Sequence, residues 1–190
     1  LLALDLKLEL PEDHQLSFAD LLLPWKNYIA FLLSFINVAS FWRTHHQMYT
    51  YINKMNDRTM AYNICWLFFI VTLPFSTSVL STHFGDSPAI FLYSLNIFAL
   101  SVFQNFIWDS SDLKQDFIDG EKLTEDERKR FRLMFNLDML NGLVCLALSF
   151  FVPKITFFLL FFKIPVLFFA TIYLARQRKK ELDAVKAKKQ

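Results

Sequence analysis

Two adjacent histidines are the first residues of this sequence whose side chains could bind a metal ion. His45 and His46 follow Trp42 in a segment that reads as a helix. Neighbouring side chains on a helix point about 100° apart, so both cannot bind one metal ion in the i, i+4 manner. At most one of them faces the interior of a helical bundle. The simplest interpretation is an interfacial tryptophan with polar neighbours at the level of lipid headgroups.

Asp138 and Lys163 are charged residues within long apolar segments. Charged side chains are costly inside a membrane and usually face the interior of a bundle. At 1.5 Å per residue, the two positions differ in depth by under about 10 Å, a gap that a lysine stem nearly spans. We expect an ion pair or a lysine that extends its amine to the interface. A proton relay, or a transporter site built on this pair, is the alternative.

A polar face runs along the segment before the histidines. Ser34, Asn37 and Ser40 recur every three residues and lead to Thr44 and His45. Small polar side chains in this pattern pack membrane helices together through interhelical hydrogen bonds. We predict such a packing face, and a water-lined path remains the alternative.

Motifs of soluble enzymes are absent from the sequence. It contains no glycine-rich phosphate loop, no His-Glu-x-x-His helix, no Cys-x-x-Cys pair and no G-x-S-x-G elbow. Cys65 and Cys145 lie inside apolar runs, and the 3 glycines stand too far apart for a Thr-Val-Gly-Tyr-Gly potassium filter. We predict no enzyme activity, no cofactor and no protein-ligated metal.

The elements that position these residues are long apolar segments. Of the 190 residues, 54% are hydrophobic, and the 20% that are charged are concentrated between the apolar runs, which is typical of membrane proteins. A bilayer core of roughly 30 Å needs about 20 apolar residues in a helix. We predict an all-α, polytopic membrane protein with a six-span helical bundle. Its spans cover residues 26–42, 61–80, 88–108, 133–152 and 155–175, preceded by an incomplete first span at 1–10.

The basic residues predict the orientation of the spans. Most of the 20 lysines and arginines follow the second span, lie between the fourth and fifth spans, or fall in the tail at 176–190. Because basic loops stay in the cytoplasm, both termini are predicted to be cytoplasmic, with residues 1–175 as the membrane domain. The basic tail is interpreted as a membrane-face anchor rather than a nucleic-acid site. The expected location is a bacterial plasma membrane.

Three segments resemble the transmembrane protein 175 family of potassium channels, found in bacteria and in lysosomal membranes. They are LLALDLKLEL at the start, SFINVASFWRTHH in the second span and NICWLFFIVTLPFST in the third. The resemblance implies a homotetramer with the first helix of each subunit lining the pore and K⁺ as the permeant ion. The R-x-x-x-F-S-D motif of the family would precede Leu1, so we expect the start of the first helix to be missing from this sequence.

The resemblance also implies roles for individual residues. Leu1 and Leu4, on one helix face by their i, i+3 spacing, would line the pore. Trp42, His45 and Asn63 would brace the pore helix. These roles imply a potassium-selective leak channel with a hydrophobic side-chain constriction in place of a carbonyl filter. A secondary transporter that uses Asp138 and Lys163 is the alternative.

Overall fold

The computed structural model describes residues 16–112, 118 and 123–161. Within these ranges the chain folds into α1 (Trp25–Tyr49), α2 (Asp57–Thr82), α3 (Ser87–Asp112) and α4 (Glu125–Leu148). A short 3-10 helix, Asp20–Leu22, precedes α1, and residues 153–161 are again helical and are named α5. The predicted all-α class is confirmed for the described residues.

Local signals in the sequence set the ends of these helices. α1 begins directly after Pro24, whose ring removes a backbone donor and so suits a helix start. α4 begins with a capping box, in which Thr124 and Glu127 each accept a hydrogen bond from the other's backbone amide. α4 ends at Leu148, four residues before the predicted limit of its span at 152. Residues 149–152 form the connection to α5, and Pro153 is the first residue of α5, where a missing backbone donor costs nothing.

The helices run antiparallel to their neighbours in sequence, with α3 at the centre. α3 packs against α2 on one side and α4 on the other, and α1 packs mainly on α2. The ends of α1 and α3 and the starts of α2 and α4 therefore meet at one end of the bundle, which we name the basic end. It carries Arg43, Lys54, Arg58, Arg128, Lys129, Arg130 and Arg132.

The hydrophobic core lies along both sides of α3. Its largest fully buried side chains include Trp66 and Leu73 from α2, Tyr93 and Trp108 from α3, and Phe135 from α4. The opposite faces of α2 and α4 leave leucine, valine and phenylalanine side chains exposed. Exposed apolar faces around a buried core are expected of helices that border lipid.

Three of the helices, α2, α3 and α4, are long and apolar enough to cross a membrane. Each has 24 to 26 residues and so measures roughly 36 to 39 Å at 1.5 Å per residue. α1 has 25 residues but is not among the helices apolar enough to cross a membrane. The predicted first span at 1–10, the part of the last span after 161 and the tail at 176–190 lie outside the described residues, so the number of six spans stays a prediction.

Candidate functional site

His45 and Asn63 join α1 to α2 near the basic end. The Nε2 atom of His45 lies 2.9 Å from the Oδ1 atom of Asn63. The imidazole stacks on Trp66, with ring centroids 4.3 Å apart, and also contacts Tyr49 at 4.5 Å. Trp42 stacks on the same imidazole at 6.2 Å. The structure thus brings Trp42, His45 and Asn63 into one group.

The two histidines occupy different surroundings, as predicted. His45 is half-buried in the aromatic group, whereas His46 is exposed. His45 lies three residues beyond the predicted span at 26–42, and burial lowers the pKa of its imidazole. A lowered pKa favours the neutral ring at neutral pH. A neutral ring with its proton on Nε2 donates a hydrogen bond to Asn63.

Two buried polar atoms beside His45 have no hydrogen-bond partner in the described part of the chain. They are the hydroxyl of Tyr49 and the indole nitrogen of Trp66. Both rings contact the His45 imidazole. Buried polar groups without partners are unusual in native structures and need an explanation.

The polar face of α1 makes hydrogen bonds between helices. The Ser34 hydroxyl lies 2.6 Å from the Thr77 hydroxyl on α2 and donates to the Tyr93 hydroxyl on α3 at 3.2 Å. Asn37 donates to the same Tyr93 hydroxyl at 3.3 Å. All four side chains are buried. The packing interpretation of this face is therefore favoured over a water-lined path for Ser34 and Asn37.

Asn96 of α3 reaches into the backbone of α2 just before Pro74. With the amide oriented so that both its atoms have partners, Nδ2 donates to the Phe69 carbonyl at 3.0 Å and Oδ1 accepts from the Leu73 amide at 3.2 Å. The Asn96 side chain therefore adds hydrogen bonds to two backbone groups of α2 in the turn before Pro74.

An ion-pair network closes the basic end between α3 and α4. Asp112 lies 3.1 Å from Arg128 and 2.7 Å from Arg132, and Arg132 also lies 3.4 Å from Asp109. The Asp112 side chain is only 8% exposed. This network was not predicted from the sequence. The available signal was a pair of aspartates three residues apart at the end of one helix and two arginines four residues apart at the start of the next.

Of the remaining predicted site residues, only Asp138 lies within the described part of the chain. Leu1, Leu4 and Lys163 lie outside the described residues, so the pore-lining assignment and the Asp138–Lys163 pair stay predictions. Asp138 lies half-buried on α4. No group of three His, Cys, Asp or Glu residues that could hold a metal ion occurs within the described ranges.

Long apolar helices, interhelical polar contacts and charges gathered at the helix ends define a polytopic helical membrane protein. Within that class, residues 1–74 match the model of the family described as endosomal/lysosomal potassium channel TMEM175. The resemblance predicted from the sequence is thereby confirmed. The matched region contains the whole Trp42, His45 and Asn63 group.

Bacterial relatives named as potassium channels match about half of the chain. A protein of a Chryseobacterium species is 30% identical over 84 residues, which is 44% of this chain and 43% of the relative. A Streptomyces collinus protein is 25% identical over 88 residues, again 44% of this chain and 43% of the relative. These matches thus span less than half the length of the relatives.

A solved structure extends the similarity of fold over most of the chain. It is the crystal structure of a lysosomal potassium-selective channel TMEM175 homolog from Chamaesiphon minutus. The TM-score is 0.71 at 22% sequence identity, over 93% of this chain and 87% of that one. The two proteins share a fold.

Proposed function

We propose that this chain is one subunit of a potassium-selective, leak-type cation channel that assembles as a homotetramer. The observation that carries the proposal is the family match over residues 1–74, together with the His45–Asn63 hydrogen bond of 2.9 Å inside it. Both termini would be cytoplasmic, in agreement with the charge at the basic end.

The first helix would line the pore, with Leu1 and Leu4 on the axis. A ring of four leucines offers an ion nothing in place of its hydration water, so it closes the pore by dewetting. Conduction then requires the ring to widen until K⁺ passes largely hydrated. Selectivity for K⁺ would arise from pore width and nearby hydroxyl groups rather than from backbone carbonyls.

The aromatic group around His45 would brace the pore helix from outside. The Tyr49 hydroxyl and the Trp66 indole nitrogen are buried donors without partners among the described residues. A polar group on the first helix that accepted hydrogen bonds from them would remove the cost of leaving them unpaired, about 1 to 3 kcal/mol each. This supports a contact between that helix and the group.

The test is ion flux through the purified full-length protein. The protein is reconstituted into liposomes loaded with K⁺, and K⁺ efflux down its gradient is followed without valinomycin. Empty liposomes and liposomes with valinomycin set the lower and upper limits. We expect valinomycin-independent K⁺ flux that does not saturate at millimolar K⁺ and is smaller with Na⁺ in its place.

Absence of flux in vesicles that demonstrably contain folded protein would refute the channel. Flux that saturates with substrate or needs a coupled ion gradient would instead indicate the secondary transporter with Asp138 and Lys163 as its working charges.

A further inference from the structure

The four cations at the start of α4 fall into two structurally different pairs. Arg128 lies 3.1 Å from Asp112 and 3.3 Å from Glu125. Arg132 lies 2.7 Å from Asp112. The charges of Arg128 and Arg132 are thus directed inward, toward α3, and are balanced by carboxylates.

Lys129 and Arg130 form the second pair. Both are exposed, and neither has an acidic partner within 4.0 Å in the part of the chain that the structure describes. We name them the free cations. Their positive charge is presented on the side of α4 that faces away from the core.

An exposed apolar stripe begins one turn below the free cations. Leu133, Leu137, Leu140 and Val144 are 59%, 55%, 55% and 42% exposed. Their spacing of four, three and four residues places them on one helix face, and Arg130 heads the same face at i−3. From Leu133 to Val144 the stripe is roughly 16 Å long at 1.5 Å per residue. That is about half of the roughly 30 Å hydrocarbon core, which is the depth of one leaflet.

α2 offers a natural comparison at the same end of the bundle. It also presents an exposed apolar stripe, with Met60, Ile64 and Val71 each at least 51% exposed. The residue that heads this face at i−3 from Met60 is Asp57, an exposed acid. The α2 stripe therefore suits neutral lipid, whereas the α4 stripe has charge complementarity to an anionic headgroup.

We propose that α4 binds an anionic phospholipid at this position. The phosphate lies between Lys129 and Arg130, and an acyl chain follows the stripe from Leu133 to Val144. Cations next to a membrane helix attract anionic lipid with about 1 kcal/mol each. Because the site combines an apolar stripe for an acyl chain with two cations for a phosphate, the occupant is a lipid rather than a free phosphate. The proposal requires only that α4 spans the membrane and does not depend on channel activity.

The experiment compares two charge-matched double variants of the full-length protein. Lys129→Gln/Arg130→Gln removes the free cations. Lys54→Gln/Arg58→Gln removes the same charge from exposed positions at the same end, beside Asp57. Binding is measured by native mass spectrometry in mild detergent with phosphatidylglycerol, with phosphatidylcholine and with glycerol phosphate. Chain assembly and secondary structure are checked for each variant by size-exclusion chromatography and circular dichroism.

We expect phosphatidylglycerol to bind the unaltered protein and to bind Lys129→Gln/Arg130→Gln roughly 10- to 30-fold more weakly, since two cations are lost. The control variant should lose less than threefold. Phosphatidylcholine and glycerol phosphate should bind weakly to all three proteins. Equal losses in both variants would overturn the proposal in favour of nonspecific charge attraction, and glycerol phosphate binding as tightly as the lipid would overturn the lipid assignment.

A second measurement keeps the test decisive if the double variant fails to fold. Raising the salt concentration from 0.05 to 0.5 M around the unaltered protein screens exposed charges. It should weaken phosphatidylglycerol binding at least fivefold and leave phosphatidylcholine binding unchanged. Salt-independent phosphatidylglycerol binding would contradict the role of the free cations.

Discussion

At the scale of single residues, His45 combines a hydrogen bond to Asn63 with stacking on Trp66. His45→Ala removes both interactions and leaves the Asn63 oxygen without its partner. We expect a loss of about 1 to 3 kcal/mol in the free energy of unfolding, seen as a lower melting temperature in detergent. His46→Ala is the matched control, because that side chain is exposed and should change stability by under about 0.5 kcal/mol.

The two histidine variants distinguish a brace from a surface residue. Equal melting temperatures for His45→Ala and the unaltered protein would show that the interaction with Asn63 contributes nothing. A double-mutant cycle with Asn63→Ala should give a coupling energy of at least about 0.5 kcal/mol.

Leu4 provides the second prediction at this scale, and it rests on the proposed channel. Leu4→Ser would place four hydroxyl groups on the pore axis and lower the barrier due to dewetting. We expect a higher single-channel conductance in bilayer recordings, with unchanged assembly in size-exclusion chromatography. An unchanged conductance in well-assembled Leu4→Ser channels would remove Leu4 from the pore.

At the scale of the elements, Asn96 stabilises α2 in the turn before Pro74. Asn96→Ala would leave the Phe69 carbonyl and the Leu73 amide without their side-chain partners. We expect a loss of about 1 to 3 kcal/mol in stability, measured as a lower melting temperature. An unchanged melting temperature in Asn96→Ala would contradict the contact.

Gly142 sets the approach of α4 to α3. A Cβ atom at this position would lie 3.0 Å from the Cα atom of Phe98. Alanine gains about 1 kcal/mol in helix propensity over glycine, but backbone atoms of Phe98 cannot rotate away, and overpacking costs about 1 to 3 kcal/mol. We expect Gly142→Ala to be net destabilising in a thermal melt. Leu143→Ala, at a position 48% exposed, is the control and should have little effect. A stabilised Gly142→Ala protein would show that the two helices separate easily.

At the scale of the whole molecule, the proposed pore requires several copies of the chain. The interior between α1, α2 and α3 is filled by buried apolar residues and by the Ser34, Thr77 and Tyr93 hydrogen bonds. The described part of one subunit thus has a packed core. We expect native mass spectrometry and cross-linking of the full-length protein in mild detergent to give four copies. A conducting monomer or dimer would reject the first helix as the pore lining.

Several features of the fold follow from the sequence alone. The apolar segments, the capping box at Thr124 and the prolines at 24 and 153 determine where helices begin and end, because these are effects of neighbouring residues. The predicted span at 26–42 covers the apolar part of α1, and the helix continues past it to Tyr49, in line with the helical reading of His45 and His46. Met48 is buried in this last part of α1, and His45 stacks on Trp66.

The partners of polar and charged side chains were decided only by the tertiary structure. The sequence shows that Ser34, Asn96 and Asp112 are polar residues in or beside apolar segments, and the periodicity of Ser34 and Asn37 predicts a shared helix face. It does not reveal that Ser34 meets Thr77, that Asn96 bonds to the backbone before Pro74, or that Asp112 pairs with two arginines. The physical reason is that periodicity specifies which face of a helix a residue occupies, whereas contacts between helices depend on their relative rotation and depth, which are set by packing of the whole bundle.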